Sequence, residues 1–316
     1  MKKFIILVLI AAAALGWQLK IWIHRPTDLQ TPATVVISRG SGTSATAEKL
    51  KAAGIIDKAW LFKLAARIYG LDRQLKAGEY IFSGPVSVYD VIHKIGRGEV
   101  SYRRITLAEG LTSRQMLEVI ADDTMLTGEI SKTPAEGTLL PETYNFMRGD
   151  RRDNIISQAQ EAMNEALDRA WNNRQDDLPI KNKNELLILA SIIEKETAVD
   201  AERGLVASVF VNRLRKGMKL QTDPTVIYGL TKGQKDLGRP LMRKDLTLDS
   251  PFNTYKYYGL PPAPICNPGR ASLEAAANPE TSDYLYFVAD GKGGHNFASS
   301  LKEHNNNVQN WKKIRK

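Results

Sequence analysis

The amino terminus constrains this chain more than any other feature: Met1-Lys2-Lys3 precedes an apolar run from Phe4 to Trp17 that continues, past Gln18 and Lys20, to Ile23. At ~1.5 Å rise per residue, a helix of that length crosses the ~30 Å hydrocarbon layer of a bilayer, with Trp17 and Trp22 at the interface and Lys20 reaching outward. The lysines favour a cytoplasmic amino end, so the bulk of the chain is expected outside the cytoplasm. Residues 1–23 are read as an uncleaved anchor. The alternative is a cleaved signal peptide, for which Ala11 to Gly16 offers small residues at a cleavage point. No cysteine lies near the run, which argues against a lipoprotein.

The 316 residues are 43% hydrophobic and 25% charged, an ordinary globular balance that excludes a disordered chain and a polytopic membrane protein. Lysine and arginine number 44 against 35 acids, a net charge of +9 that suits an anionic partner such as a lipid surface or an acidic wall polymer. Export argues against nucleic acid. Cys266 has no cysteine partner, and His24, His93, His295 and His304 are scattered without metal-ligand spacing. Asp290-Gly-Lys-Gly-Gly294 lacks the spacing of a phosphate-binding loop and reads as a hairpin turn. Neither a metal nor a cofactor is expected.

Residues 24–33 carry two prolines and few large apolar groups, and read as a linker. Residues 34–100 read as a small α+β unit. It has strands at 34–38 and 78–82, helices at 44–53 and 60–69 closed by Gly54 and Gly70, and a helix from Ser87 to Ile95. Val88, Val91, Ile92 and Ile95 give that last helix one apolar face. From residue 101 the pattern restarts, with a strand at 102–107, a helix capped by Thr112, and an amphipathic helix from Asn154 to Trp171. The fold class is α+β throughout, with residues 101–316 as a second, larger mixed domain.

The most informative segment is Asn182-Lys-Asn-Glu-Leu-Leu-Ile-Leu-Ala-Ser-Ile-Ile-Glu-Lys-Glu-Thr197. Asn182 and Glu185 have capping-box spacing, and Leu186 to Ile193 is apolar on every face, as in an enclosed helix. Two carboxylates follow. Glu194 shares a stripe with Ala190 and Leu187, and Glu196 shares one with Leu189, Ile192 and Ile193. Apolar surroundings disfavour ionisation, and a carboxyl group kept protonated near neutral pH can act as acid and then base on a glycosidic bond. Periodicity does not choose between the two. Both could equally be the wet end of a helix.

Ala190-Ser-Ile-Ile-Glu-Lys-Glu-Thr197, Val206-Ala-Ser-Val-Phe-Val-Asn-Arg-Leu214 and Leu220-Gln-Thr-Asp-Pro-Thr-Val-Ile-Tyr-Gly229 resemble the YceG-like endolytic murein transglycosylases. Ser250 to Tyr255, Gly259 to Gly269 and Tyr284 to Phe297 resemble that family's later blocks, in its order. The resemblance spans essentially the whole chain. It implies a single-pass protein of the bacterial inner membrane with a periplasmic catalytic domain, and a LysM-like module over residues 34–100. It implies cleavage of the β-1,4 bond between N-acetylmuramic acid and N-acetylglucosamine in nascent peptidoglycan strands, giving 1,6-anhydro ends. It assigns the catalytic role to the first glutamate, Glu194. Penicillin-binding peptidoglycan synthases are the partners it suggests.

Gln221, Asp223, Asn253, Tyr255 and His295 are the substrate-cleft candidates, because sugars need amide or hydroxyl partners and flat aromatic surfaces. Asp223 is also the candidate second acid, unless it or Thr222 simply caps a short helix with Pro224 in its first turn. An N-acetyl sugar can replace a second carboxylate by substrate assistance. The chain departs from the family pattern at Ala263 and Phe252, where glycine and tyrosine are common. Gly259 to Gly269 is too proline-rich for helix or central strand and is expected to be a cleft-side loop. The basic end, Trp311 to Lys316, reads as a solvated helix tail. Two alternatives remain, a hydrolytic muramidase and a non-catalytic wall-binding scaffold.

Overall fold

The computed structural model describes residues 1–314. The chain divides into two compact units, residues 1–103 with 145–149, and residues 104–144 with the remainder from 150.

In the first unit, α1 (Lys2–His24) is exposed along its apolar length except at its last turn, where Ile23 is 3% exposed. It is long and apolar enough to cross a membrane. β1 (Pro26–Ile37) starts two residues later and pairs antiparallel with β2 (Gly78–Ser87), from Pro26 opposite Ser87 to Ile37 opposite Gly78. Residues 24–33, expected as a linker, are therefore the last residue of the helix, Arg25 and the larger part of a strand. The two prolines misled because both occupy places a strand tolerates. Pro26 opens β1, and Pro32 falls where the register shifts between Leu29 and Ala33.

Between the strands lie α2 (Thr43–Ala52) and α3 (Ala59–Ile68), and α4 (Val88–Arg97) follows β2. Ser87 caps α4: its hydroxyl accepts from the Asp90 N–H at 3.2 Å, while Asp90 accepts from the Ser87 N–H at 2.9 Å. Leu50, Phe62, Tyr80 and Ile92 are fully buried between the helices and the strand pair. The buried Tyr80 carries a polar tip into this core, and its hydroxyl donates to the Lys76 carbonyl at 2.8 Å.

The chain continues through β3 (Arg103–Thr106), which pairs with β4 (Thr143–Phe146); α5 (Ser113–Asp122) lies between them in sequence, capped reciprocally by Thr112 and Gln115. Then come α6 (Arg152–Asn172), α7 (Lys183–Glu196), α8 (Arg203–Arg215), α9 (Asp223–Thr231) and α10 (Arg270–Ala277). A hairpin of β5 (Tyr286–Ala289) and β6 (His295–Ala298) precedes α11 (Leu301–Ile314). The basic tail reaches Ile314 as helix, and Arg315 and Lys316 lie outside the described residues.

α7 is the centre of the second unit. Every residue from Leu186 to Ile193 is buried, because α6, α8, α9 and α10 all pack against it. Asn182 starts the helix by accepting from the Glu185 N–H at 3.0 Å, while Glu185 reaches back to Lys181 and leaves the Asn182 amide. The loop 259–269 is irregular, as its prolines require, and is pinned at Asn267, whose side chain accepts from the Leu139 N–H and donates to the Leu111 carbonyl.

Ser87→Ala removes a complete capping box and is expected to cost the first unit about 1 kcal/mol. Thermal unfolding followed by circular dichroism checks this; no change would mean that the α4 terminus is held by packing alone.

Candidate functional site

Two residues apart on a helix diverge by about 200°, so α7 sends Glu194 and Glu196 in opposite directions. Glu196 lines a cleft of about 560 Å³ together with Arg213, Gln221, Thr222, Asp223, Tyr255 and, from the other side, Tyr286 and His304. The Thr222 hydroxyl donates to Glu196 Oε1. Burial pushes the Glu196 carboxyl above its ordinary value, against the Thr222 hydrogen bond, and the nearby Asp223 charge raises it further. His295 and Arg213 pull weakly the other way.

Glu194 has a different environment. Its Oε2 accepts from the Gly269 N–H at 2.9 Å, at the residue that caps α10, where a carboxylate offsets the positive end of the helix. Glu109 lies close by, and burial and the Glu194 charge raise its carboxyl. Gly269 is required here, since a Cβ at that position would collide with the Glu109 carboxylate. Glu194 is absent from the lining of the large cleft.

Three other sequence candidates meet in the cleft. Tyr255 donates its hydroxyl to Asp223 Oδ1 at 2.6 Å, and burial and that carboxylate push the phenol upward, so Tyr255 stays neutral. Asp223 opens α9, with Pro224 in its first turn, but neither Thr222 nor Asp223 makes a side-chain cap. Gln221 adopts φ 52°, a left-handed conformation unusual for a non-glycine residue. Its backbone is fixed by the Thr254 carbonyl at 3.2 Å, and the next amide, Thr222 N–H, donates to the Thr254 hydroxyl at 3.1 Å. The strained turn exposes the Gln221 side chain beside the carboxylates.

Asn253 and His295 are placed elsewhere. Asn253 is completely buried, its amide donating to the Leu246 and Leu248 carbonyls and its oxygen accepting from the Tyr255 N–H. It shapes the turn that presents Tyr255 and has no face toward substrate. Tyr255, Tyr257 and Tyr258 lie in this turn and form no strand. His295 Nδ1 pairs with Glu202 Oε2 at 2.8 Å, and the same carboxylate accepts the His295 N–H at 2.9 Å. That pair ties the start of β6 to the entrance of α8.

The sequence reading missed the rest of the wall. Arg213 is 9% exposed, donates to the Leu285 and Leu220 carbonyls at 2.7 Å each, and lies 5.2 Å over the Tyr286 ring. An arginine in the mostly apolar Val206 to Leu214 block was a signal in plain view. His304 stacks on Tyr286 at 5.1 Å, and burial with the Arg213 charge favours its neutral form. Nothing in the polar pattern of α11 marks that face. Among the described residues, no three His, Cys, Asp or Glu side chains are grouped to hold a metal ion.

The profile of the YceG-like family matches residues 35–310. The chain belongs to that family. It is 35% identical to an endolytic murein transglycosylase of Bacillus subtilis, over 88% of this chain and 84% of that protein. An endolytic murein transglycosylase of Streptococcus pneumoniae is 29% identical, over 97% of this chain and 65% of that longer protein. A crystal structure of a YceG-like protein from Listeria monocytogenes is 33% identical with a TM-score of 0.54, covering 89% of this chain and 99% of that one. The matched span contains the whole cleft, from Glu196 to His304.

Asn253→Ala takes the side-chain partner from the Leu246 carbonyl and the Tyr255 N–H and one of two donors from the Leu248 carbonyl, and is expected to lower stability by about 1–3 kcal/mol. Differential scanning calorimetry reads the change, and a variant of unaltered melting temperature would return Asn253 to the list of surface groups.

Proposed function

We propose that this protein is a membrane-anchored endolytic transglycosylase of peptidoglycan with Glu196 as its acid and base. The observation that carries the assignment is the Glu196 carboxyl, pushed above its ordinary value by burial inside a cleft of small-ligand size and oriented by the Thr222 hydroxyl. The names of the bacillar and streptococcal relatives support the substrate. Protonated Glu196 donates to the glycosidic oxygen between N-acetylmuramic acid and N-acetylglucosamine as the anomeric C–O bond breaks. The resulting carboxylate, stabilised by Thr222, takes the proton of the muramic acid 6-hydroxyl as that oxygen attacks the anomeric carbon. The product is a 1,6-anhydro end; no water is consumed, and Glu196 ends protonated. The 2-acetamido group can stabilise the anomeric centre where a second carboxylate would otherwise act.

Glu194, the residue the family resemblance assigned, serves in this reading as the anion at the start of α10. Tyr255 and Gln221 offer a ring, a hydroxyl and an amide to sugar hydroxyls. The order β1-α2-α3-β2, with two helices inserted in an antiparallel pair, supports a LysM-like first unit. The two lysines that open α1 support a cytoplasmic amino end in the inner membrane and a periplasmic cleft. Cutting nascent strands there would set their length, which makes peptidoglycan synthases of the penicillin-binding class the natural partners.

Mass spectrometry of products from uncrosslinked glycan strands tests the assignment. The detergent-solubilised full chain is expected to give 1,6-anhydro ends, Glu196→Gln to lose at least ~100-fold in rate, and Glu194→Gln to remain active. An inactive Glu194→Gln beside an active Glu196→Gln would reverse the roles. Reducing ends heavier by one water would make the protein a hydrolase, with Asp223 activating the water.

The pH dependence follows from the same groups. The acid must be protonated, so kcat/KM falls as pH rises through the raised Glu196 pKa. Asp223→Asn removes a negative charge that favours the protonated form, so the alkaline limb is expected to move to lower pH. An unmoved limb would show that Asp223 does not act on the titrating group.

A further inference from the structure

The end of α1 is locked to the first unit. Trp22 packs edge-on against Trp60 at 6.1 Å, with the Lys58 ammonium 4.9 Å over the Trp22 ring. Ile23 is buried, His24 stacks on Tyr89 at 4.6 Å, and the Tyr69 hydroxyl lies 3.4 Å from His24 Nε2. Trp60 and Tyr69 bracket α3 and are about 13 Å apart along its axis, yet they touch α1 residues only about 3 Å apart along theirs. Helix α3 therefore crosses the end of α1 instead of continuing it. If α1 spans the bilayer, α3 lies along the membrane plane at the depth of Trp22.

Helix α3 has two faces. Leu61, Phe62, Ala65 and Ala66 are buried in the unit, whereas Trp60, Leu64 and Ile68, spaced four apart, are 47%, 36% and 54% exposed. Lys63 and Arg67 interleave with this outer stripe, and both are exposed. A small crevice at the same junction is edged by Arg25 and Lys58 against the single acid Asp57. Apolar side chains flanked by cations, next to an interfacial tryptophan, form the pattern of a helix seated in an anionic headgroup layer.

We propose that α3 is a second membrane contact: its Trp60, Leu64 and Ile68 stripe enters the lipid interface beside α1, with Lys58, Lys63 and Arg67 against anionic headgroups. The proposal rests on α1 being a retained transmembrane anchor. The first unit is then seated on the bilayer and not suspended above it, and lipid, not glycan, covers this face.

Spin labels test the depth directly. Leu64→Cys, Ile68→Cys and, as a reference, Leu9→Cys are made in the full chain, where the buried Cys266 does not take the label. Each is reconstituted in nanodiscs of phosphatidylethanolamine and phosphatidylglycerol, and collision rates with oxygen and with a water-soluble nickel chelate are compared. Labels at 64 and 68 are expected to favour oxygen, at shallower depth than the label at 9. Labels at 64 and 68 that favour the chelate while the one at 9 favours oxygen would overturn the proposal and leave the anchor standing. Chelate preference at all three would overturn both. Lys63→Glu with Arg67→Glu is expected to shift the Leu64→Cys label toward the chelate; an unchanged label would remove the headgroup attraction from the proposal.

Discussion

A helix that is apolar on every face must be enclosed on every face, and the second unit is built around that demand. Helix α7 buries Leu186 to Ile193 against four other helices, each large side chain contributing on the order of 1.5–3 kcal/mol relative to exposure. A carboxylate within that stretch would be an uncompensated buried charge. It can stand only past the end, where the helix emerges between α8, α9 and the turn around Thr254. Glu196 occupies that place, buried enough for its pKa to be raised and open enough to line the cleft.

The same geometry explains why two glutamates separated by a lysine are not equivalent. One is directed into the cleft, and its charge is opposed by burial and by Asp223. The other meets the N–H group that begins α10, where a negative charge is stabilised. Identical side chains two residues apart thus meet different surroundings, and the difference lies entirely in what the helix end faces.

Much of the architecture was legible because its signals are local. Ser87, Thr112 and Asn182 mark helix starts through hydrogen bonds made within three residues, and Gly54, Gly70 and Gly98 mark ends through positive φ. The apolar run of α7 announced an enclosed helix. The family blocks pointed to the end of α7, and the choice between its two glutamates rests on what each one faces, because a motif carries no direction in space. Asn253 and Pro26 misled for related reasons: an amide serves a buried turn as well as a sugar, and a proline at a strand's first residue looks like one in a linker. The wall from α11 was illegible, since His304 reaches the cleft through the packing of α11 on β5, a contact between segments with no shared sequence pattern.

The cleft also contains a strong cation that does little to oppose the raised Glu196 pKa. Arg213 would lower the Glu196 pKa if its charge were free to pair, yet its effect is the weakest of those acting there. Its donors are committed to the carbonyls of Leu285, Lys219 and Leu220, so it braces the β5–β6 hairpin against the segment that presents Gln221 and Thr222. Tyr255 performs the matching service on the acidic side, donating a neutral hydroxyl to Asp223 and fixing that carboxylate at the cleft wall. An acid–base residue needs a proton that is held but transferable. Here the cation is diverted to the backbone, Asp223 is anchored by Tyr255, and burial raises the Glu196 carboxyl with little opposition.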